Sequence, residues 1–420
     1  MAGMRGTWRI AELRALLISY VINRAGDVFG ALALAVVVLG TTRSAIAIAA
    51  LFLATQFLPG LAGPFLVNRI GAIPPGRMLP LCYLVEACLF LALAAVSRHV
   101  GVALIVALAF VDGTLAFAAR SVTRATTAST LIPHDLMPEG KAVFNLALGA
   151  ATVAGPVLGG AVLALLGPST ALAADGVSFL VAATLIAGTP GLRARHASDA
   201  TSDATSDAAR PTPSRQLRAG LRYIAGHAEL RVLILGEGIA FVFFYLVVPV
   251  TVVYATRSLH AGPAGYAAIL ASWGAGAVIG STVHIRLARR IGRATILLST
   301  AAVAVAYLGT ALAPTLLFAC AASVIGGVGN GTQWASVETA VHQFVEEHFR
   351  LRVSAILESM AAVAPGIGIV LGGALTALFS PRAAYLAAGL GLVALITAVA
   401  LSRVLAAEPL RVAAADLGSA

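Results

Sequence analysis

Residues 14–39 read RALLISYVINRAGDVFGALALAVVVL, and this stretch decides the class of the fold. It is almost wholly apolar, and as a helix rising about 1.5 Å per residue it is long enough to cross about 30 Å of hydrocarbon. Arg24 and Asp27 interrupt it at positions i and i+3, which share one face of a helix. The stretch therefore predicts a transmembrane helix that carries a pair of opposite charges.

Runs of the same kind recur along the whole chain. With 59% hydrophobic and 11% charged residues and a mean hydropathy of +0.93, the chain has too little polar surface for a soluble protein of 420 residues. Its solvent is therefore expected to be the lipid bilayer. Twelve runs are long enough to span it, near residues 14–39, 45–67, 78–96, 101–122, 143–166, 170–188, 232–254, 264–285, 294–313, 315–337, 353–379 and 383–405.

Basic residues are distributed unequally between the two sides of the membrane. When the runs are threaded alternately, almost all of the 28 Lys and Arg residues fall on one side, Arg120 and Lys141 of the 4–5 loop among them. The exceptions, each alone in a short hairpin, are Arg43, Arg98, Arg257 and Arg382. Because cytoplasmic loops retain Lys and Arg, we expect a multi-pass protein of the cytoplasmic (inner) membrane with both termini in the cytoplasm.

The two halves of the chain are similar in sequence. Arg14 and Arg231 are separated by the same number of positions as Gly63 and Gly280. A pair of related six-helix halves is typical of a transporter whose site lies between them. We therefore predict an all-α membrane fold of 12 transmembrane helices, with an N-terminal bundle at 1–190 and a C-terminal bundle with a short cytoplasmic tail at 230–420.

A polar segment separates the halves. Residues 198–213 repeat Ser-Asp-Ala-Thr and end in two prolines, a composition that cannot bury a core and predicts a disordered linker. After it, Leu217, Leu221 and Ile224 share one face of a helix, which suits a short amphipathic helix on the inner leaflet. Residues 191–229 are thus predicted to form a cytoplasmic linker.

Several motifs together resemble the major facilitator superfamily, and within it the bacterial proton-linked drug and siderophore exporters, which include macrolide-efflux proteins and the enterobactin exporter. The resemblance extends over essentially the whole chain. The matching stretches are Asn23-Arg24-Ala25-Gly26-Asp27, the Gly63–Arg77 loop, Phe117-Ala118-Ala119-Arg120 with Leu131-Ile132-Pro133, Gly155–Gly160, and Gly220-Leu221-Arg222-Tyr223 before Leu230-Arg231. The resemblance implies a major facilitator fold and secondary active transport by alternating access.

Carboxylates within the predicted spans are candidates for proton coupling. An ionised carboxylate at mid-bilayer costs about 2.5–3.5 kcal/mol on insertion scales, so each needs a partner, water or a proton. The resemblance places spans one, four and seven along the transport path, and with them Asp27 beside Arg24, Asp112 and Glu237. A role for the Arg24–Asp27 pair in locking helix packing remains open. Glu86 and Asp175 belong to spans three and six, where helix-packing hydrogen bonds are the expected role.

A cytoplasmic gate is implied by the resemblance. The family's 2–3 loop resembles Gly-x-x-x-Asp-Arg-x-Gly, whose Asp is implied to hold the gate shut through charge contacts. Here Asn68 replaces that Asp, so we expect a weaker latch without charge assistance. The predicted gate residues are Gly63, Asn68, Arg69, Gly71, Arg286, Arg350, Arg352 and Glu358.

Small residues in span five form a helix-packing motif. Small residues three or four positions apart let helices approach closely in lipid, and proline favours a kink. Packing explains most of this motif, which in the family accompanies antiport. Its residues are Gly155, Pro156, Gly159 and Gly160.

Other function classes lack the motifs that they require. No P-loop, nucleophile elbow or HExxH zinc motif occurs, and the cysteines have no CxxC spacing, so we expect no enzyme chemistry, cofactor or metal. The net charge of +10 is spread over short loops rather than one patch, so nucleic-acid binding is not expected. The sequence favours a monomeric exporter that exchanges protons for a small amphiphilic or apolar compound. The alternatives are an importer or facilitator driven by the substrate gradient, and a non-transporting sensor on the same fold.

Overall fold

The helices account for nearly all of the residues that the structure describes. The computed structural model describes residues 10–70, 73–96, 101–134, 136–194, 221–287, 293–345 and 347–417, and contains no strand within them. The long helices are α1 (Ala11–Thr42), α2 (Ala45–Ile70), α3 (Pro75–Val96), α4 (Val102–Leu131), α5 (Met137–Leu166), α6 (Pro168–Ala187), α7 (Ala228–Ser258), α8 (Gly262–Leu287), α9 (Arg293–Leu312), α10 (Leu316–Phe344), α11 (Glu347–Leu378) and α12 (Pro381–Leu417).

The predicted all-α membrane fold is confirmed. In the described part of the chain, ten helices are long and apolar enough to cross a membrane. The other two predicted spans, 143–166 and 315–337, fall on α5 and α10; in α5 the apolar stretch Ala154–Leu166 is a shorter apolar helix. Helix α5 is continuous through Pro156 and α11 through Pro365.

Two helices contain local irregularities. Helix α2 has a π-helical turn at Leu53–Phe57, and α7 has one at Tyr254–Ser258. Helix α7 is also interrupted between Val247 and Val250, where Pro249 cannot donate a backbone hydrogen bond. Such irregularities in a membrane helix need neighbouring groups to satisfy the freed backbone.

The chain forms two compact units, one of Met1–Arg210 with Pro249–Ala275 and the other of Pro211–Val248 with Gly276–Ala420. The boundary between them within α7 falls at the interruption before Pro249. In the first unit, α1 packs on α5 and α6, and α2 packs on α4. In the second, α7 packs on α11, and α9 packs on α10 and α12.

Glycines fix the closest approaches in the first unit. A methyl group at Gly63 of α2 would overlap the ring of Phe117 of α4. On α5, Cβ atoms at Gly155 and Gly159 would meet Val28 and Phe29 of α1 at 3.0 and 2.6 Å. Because hydrophobicity gives no drive for association in lipid, close backbone packing at small residues holds such helices together. The small-residue motif of span five therefore packs against α1.

The second unit repeats the same contacts. Gly280 of α8, which corresponds to Gly63, lies against the backbone of Val328 on α10. Gly372 of α11 stands 213 positions after Gly159 of the motif on α5, and it lies against the carbonyl group of Leu246 on α7. Thr332 Oγ1 donates to Gly280 O at 3.1 Å and adds a hydrogen bond to the first of these contacts. The second and fourth helices of each half, and its first and fifth, thus meet at glycine.

Arginines occupy the helix ends on the side with few basic residues. Arg43 ends α1 in the left-handed conformation (φ 49°), with its N–H bonded to Leu39 O. The guanidinium of Arg257 donates to the carbonyl oxygen of Arg43. Arg382 Nη2 donates to Ala313 O at 2.9 Å, just beyond the end of α9. The side chains of Arg257 and Arg382 therefore satisfy carbonyl groups that a helix end leaves unpaired.

Some sequence predictions fall outside the described residues or need correction. The linker at 198–213, Leu217, Arg98 and Gly71 lie outside them. Arg120, which is counted above with the basic residues of the 4–5 loop although it falls in the run 101–122, lies inside α4, and that helix continues nine residues beyond Val122, to Leu131. This residue consequently becomes part of the candidate site.

Candidate functional site

An ion-pair network joins α1 to α4 in the first unit. Arg24 Nη1 lies 2.9 Å from Asp27 Oδ2, which confirms the intrahelical pair expected from the i, i+3 spacing. Arg120 Nη1 of α4 lies 3.9 Å from the same oxygen. All three side chains are partly buried, with 19–32% of each side chain exposed. One carboxylate is therefore shared between two guanidinium groups, one of them supplied by another helix.

Asp112 lies two turns before Arg120 on α4. Its Oδ1 is buried and has no hydrogen-bond partner among the described residues. It interacts electrostatically with Asp27 and with Arg120. In hydrocarbon a lone ionised carboxylate is costly, and taking up a proton removes the charge. The arrangement permits Asp112 to accept and release a proton beside the ion-pair network.

Glu86 and Asp175 extend this group of acids beyond the predicted site. Glu86 of α3 is fully buried, and neither of its carboxylate oxygens has a hydrogen-bond partner in the described part of the chain. Its electrostatic neighbours are Asp112, Asp27, Asp175 and Arg120. The sequence assigned Glu86 and Asp175 to helix packing. Neither acid has a cation in its own span. An unpaired carboxylate in a membrane helix was the one signal in the sequence that could have indicated a role beyond helix packing.

Two glycines of α1, which have no side chain, leave room for the carboxyl group of Asp175. A methyl group at Gly26 or Gly30 would overlap the carboxylate of Asp175, and at Gly30 also the ring of Phe90. Ser178 Oγ donates to Asp175 Oδ1 at 3.3 Å, while Oδ2 has no partner among the described residues. The two glycines lie on either side of Asp27 in sequence, so neighbouring positions of α1 contact Asp175 of α6 and Arg120 of α4. We call Arg24, Asp27, Glu86, Asp112, Arg120 and Asp175 the acid cluster.

Glu237 belongs to the second unit. It lies on α7 with 5% of its surface exposed, and Gln333 Nε2 of α10 donates to its Oε2 at 3.0 Å. It lines a pocket whose other walls come from α9, α10 and α12. Glu237 stands nine residues after the first residue of α7, and its contact with Gln333 does not follow from the sequence.

The structure describes the side chains of only some of the predicted gate residues. Asn68 and Arg69 are exposed at the end of α2, where Asn68 lines a shallow depression with Phe117 and Ser121. Gly63 is buried one turn and a half earlier. Arg286 is on α8, whereas Arg350, Arg352 and Glu358 are on α11, and the side chains of these four residues lie outside the described part. The gate contacts therefore stay a prediction.

The chemistry available at the acid cluster is proton exchange. The cluster holds four carboxyl groups from four helices and two guanidinium groups, so it has more acids than bases. No group of three or more His, Cys, Asp or Glu side chains within the described ranges is arranged to hold a metal ion. A helix motion that moved Arg120 relative to Asp27 would change how well the neighbouring acids hold a negative charge.

Comparisons with known proteins agree with this architecture. A model of the transmembrane secretion effector family (MFS_3) matches residues 9–417. No curated protein matches the sequence.

Solved structures resemble the fold over nearly the whole chain. A mutant of the nucleoside transporter NupG superposes with a TM-score of 0.71 at 11% identity, covering 92% of this chain and 98% of that one. A bacterial homologue of the iron transporter ferroportin, in an inward-facing state, gives 0.66 at 15% identity, over 92% and 98%. A mutant of the peptide transporter POT gives 0.63 at 14% identity, over 92% of each chain. At such low identity the likeness concerns the fold alone.

Proposed function

Because the chain belongs to the transmembrane secretion effector family of major facilitator transporters, we propose that it is a proton-coupled exporter of a small amphiphilic or apolar compound. It works by alternating access in a bacterial inner membrane, with both termini in the cytoplasm. Exchange of an inward-moving proton for the exported compound makes it an antiporter, and export of a toxic compound would give the cell drug resistance.

The observation that carries this proposal is the acid cluster. Buried carboxyl groups are costly in a membrane helix and are retained where they serve transport or proton transfer. Asp112 is the proposed proton carrier, because its Oδ1 is buried without a partner in the described part of the chain while Arg120 is an electrostatic neighbour. Asp27, held by Arg24 and Arg120, is the proposed partner that links protonation to helix movement.

The acid cluster also bears on the two alternatives. A non-transporting sensor has no use for four acids within one bundle, whereas a proton-coupled transporter does. A facilitator or importer driven by the substrate gradient would not require a titratable group at Asp112. A measurement of proton-coupled transport therefore distinguishes the proposed antiporter from both alternatives.

Asp112→Asn tests the proposal, because an amide keeps the size and hydrogen-bonding capacity of the carboxyl group and cannot titrate. In inverted vesicles with an imposed pH gradient, we expect the wild type to concentrate a fluorescent drug or dye and the variant to lose that accumulation. Gradient-free exchange of the same compound should persist in the variant. Asp112→Glu, which keeps a titratable group, is the matched control and should retain accumulation. Accumulation by Asp112→Asn at the wild-type level would remove Asp112 from the mechanism.

A further inference from the structure

Glu86 of α3 is a buried acid to which the proposed function assigns no role. None of its surface is exposed, and neither of its carboxylate oxygens has a hydrogen-bond partner among the described residues. Glu237 is buried to a similar degree, but it accepts a hydrogen bond from Gln333 Nε2 at 3.0 Å. Buried polar groups in proteins almost always have such a partner. The helix-packing hydrogen bond expected of Glu86 from the sequence is therefore not formed with any described residue.

The face of α3 that carries Glu86 is enclosed by aromatic rings. Tyr83 and Phe90 stand about one turn before and after Glu86, and they are 2% and 3% exposed. Their rings lie near that of Phe179 on α6, with centroids 6.3 and 5.6 Å from it. In such surroundings an ionised carboxylate is costly unless a cation is near. Within the described residues, the charged and titratable groups that interact electrostatically with Glu86 are Asp27 of α1, Asp112 and Arg120 of α4, Asp175 of α6, and Cys82 and Tyr83 of its own helix.

Glu86 and Asp112 lie at the same level of the bundle. Helix α3 packs on α4, and a short hairpin joins the two. Glu86 stands ten residues before Val96, the last residue of α3. Asp112 stands ten residues after Val102, the first residue of α4, and its Oδ1 is buried without a partner in the described part of the chain. At about 1.5 Å per residue, each acid is about 15 Å from the hairpin. Two interacting carboxyl groups on neighbouring helices therefore form a pair.

The charges of the acid cluster limit how many of its acids ionise together. The guanidinium groups of Arg24 and Arg120 are matched against four carboxyl groups. Because buried charges are normally paired, we expect at most two of the four acids to be ionised at once. Asp27 is one of them, since it lies 2.9 and 3.9 Å from the two guanidinium groups. When Asp112 becomes the second by releasing its proton, Glu86 keeps its own. A protonated carboxyl group has an O–H that donates a hydrogen bond.

We propose that Glu86 is a positioning residue of the proton-coupling site: it stays protonated and donates a hydrogen bond to the carboxylate of Asp112 after Asp112 has released its proton. That proton leaves a carboxyl oxygen of Asp112 and passes to water, while the O–H bond of Glu86 stays intact. A hydrogen bond to a charged acceptor is roughly twice as strong as one to a neutral acceptor, so Glu86 favours the ionised form of Asp112. The proposal rests on the proposed function for the role of Asp112 as the proton carrier. It assigns one exchanged proton to this pair of acids.

Two substitutions of Glu86 separate donation from packing and from titration. Glu86→Gln cannot titrate, but its amide group can still donate a hydrogen bond. Glu86→Met is of similar length, suits an apolar helix and cannot donate. We expect the Gln variant to preserve the proton release of the wild type and the Met variant to change it. A residue that only packs would tolerate Met, whereas a second proton carrier would tolerate neither change.

The measurement is the infrared absorption of protonated carboxyl groups, recorded against pH for the purified full-length protein in lipid nanodiscs. The band that Asp112→Asn removes reports proton release from Asp112. In Glu86→Met the ionised form of Asp112 loses its donor and becomes less favourable, so release should move to higher pH. The expected shift is about one to two pH units, as for one hydrogen bond to a charged group. In Glu86→Gln, release should stay within about half a pH unit of the wild type.

A matched control tests the effect of a methionine elsewhere on α3. Leu84→Met, at an exposed position of the same helix, should leave proton release from Asp112 unchanged. Glu86→Leu, which also lacks a donor, makes the same comparison if Glu86→Met does not fold. Neither measurement needs a substrate or a pH gradient, so the hydrogen bond is tested separately from transport.

The outcomes distinguish this proposal from the proposed function. Equal pH dependence of the wild type and a folded Glu86→Met would overturn the proposal, and so would a second titrating band that Glu86→Gln removes. A shift in Glu86→Met, found together with transport that does not respond to a pH gradient, would support the hydrogen bond and count against proton-coupled export. If Asp112→Asn removed no titrating band, both the hydrogen bond and the role of Asp112 as carrier would be excluded.

Discussion

Arg120 Nη1 lies 3.9 Å from Asp27 Oδ2, so α4 and α1 are joined by an ion pair inside the first unit. Asp27 also binds Arg24 of its own helix, at 2.9 Å. The carboxylate can therefore keep one guanidinium while the other moves away. That gives α4 freedom to shift relative to α1 without leaving Asp27 unpaired.

Arg120→Gln should weaken this connection to a small but measurable extent. Because both groups are partly exposed, we expect a coupling of about 0.5–1 kcal/mol with Asp27→Asn in a double-mutant cycle. The measurement is unfolding in mixed detergent micelles, followed by circular dichroism. Arg124→Gln, an exposed position one turn further along α4, is the matched control and should not couple to Asp27→Asn. Strict additivity of Arg120→Gln and Asp27→Asn would mean that the pair contributes nothing.

Gly30→Ala should destabilise the first unit, because the new methyl group would overlap the Asp175 carboxylate and the Phe90 ring. We expect a cost of about 1–3 kcal/mol, as for overpacking in a core. Gly40→Ala lies on the same helix with no atom within 4 Å of the added Cβ and should be neutral or slightly stabilising. Thermal unfolding of the two variants makes the comparison, and equal stabilities would show that α1 does not approach Asp175 so closely.

Asn68→Asp should restore charge assistance to the predicted gate. A hydrogen bond to a charged group exceeds a neutral one by about 1 kcal/mol, enough to shift a two-state gate several-fold. We expect slower substrate exchange at low salt and a smaller difference at high salt, since Asn68 is exposed and its contacts are screened. Asn68→Gln serves as the uncharged control. A rate that does not depend on salt would exclude a charge contact at this position.

A cysteine at Ser202 should report the orientation of the chain. We expect an impermeant maleimide to label it only after cells are opened, because the polar segment is predicted to be cytoplasmic. The background must first lose Cys82, Cys88 and Cys320, of which Cys88 is exposed. Gly101→Cys, in the hairpin before α4 with open space around it, is the control for the other side. Labelling of Ser202→Cys in intact cells would invert the topology.

Hydrophobic run length was enough to predict the helices but not their ends. The apolar run of span four stops near Val122, where Arg120 and Arg124 enter, yet α4 continues to Leu131. Helices extend beyond the hydrocarbon, and backbone hydrogen bonding does not stop where hydropathy does. Arg120 stands at the end of the apolar run and counts as a loop cation by charge alone, whereas its contact with Asp27 depends on how α4 packs on α1.

Contacts between helices were harder to predict than contacts within them. The Arg24–Asp27 pair follows from i, i+3 spacing, whereas the contact between Asp175 and bare backbone at Gly30 requires the packing of α6 on α1. Likewise, Glu237 is a candidate because the resemblance places span seven on the transport path, but Gln333 is ninety-six residues away in sequence. A single sequence carries no signal for such pairs.

The arginines on the side with few basic residues have a bearing on how the chain enters the membrane. Arg43 and Arg257 meet at the end of α1, and Arg382 binds the last carbonyl groups of α9. A guanidinium held there is matched by the negative end of a helix dipole, so it translocates together with its partner. The side chains of Arg257 and Arg382 bond to carbonyl groups at helix ends, so we expect the orientation of the chain to depend on the other basic residues. Reversing the orientation of the protein should therefore require changes to the basic residues of the loops predicted to be cytoplasmic, and these arginines could stay in place.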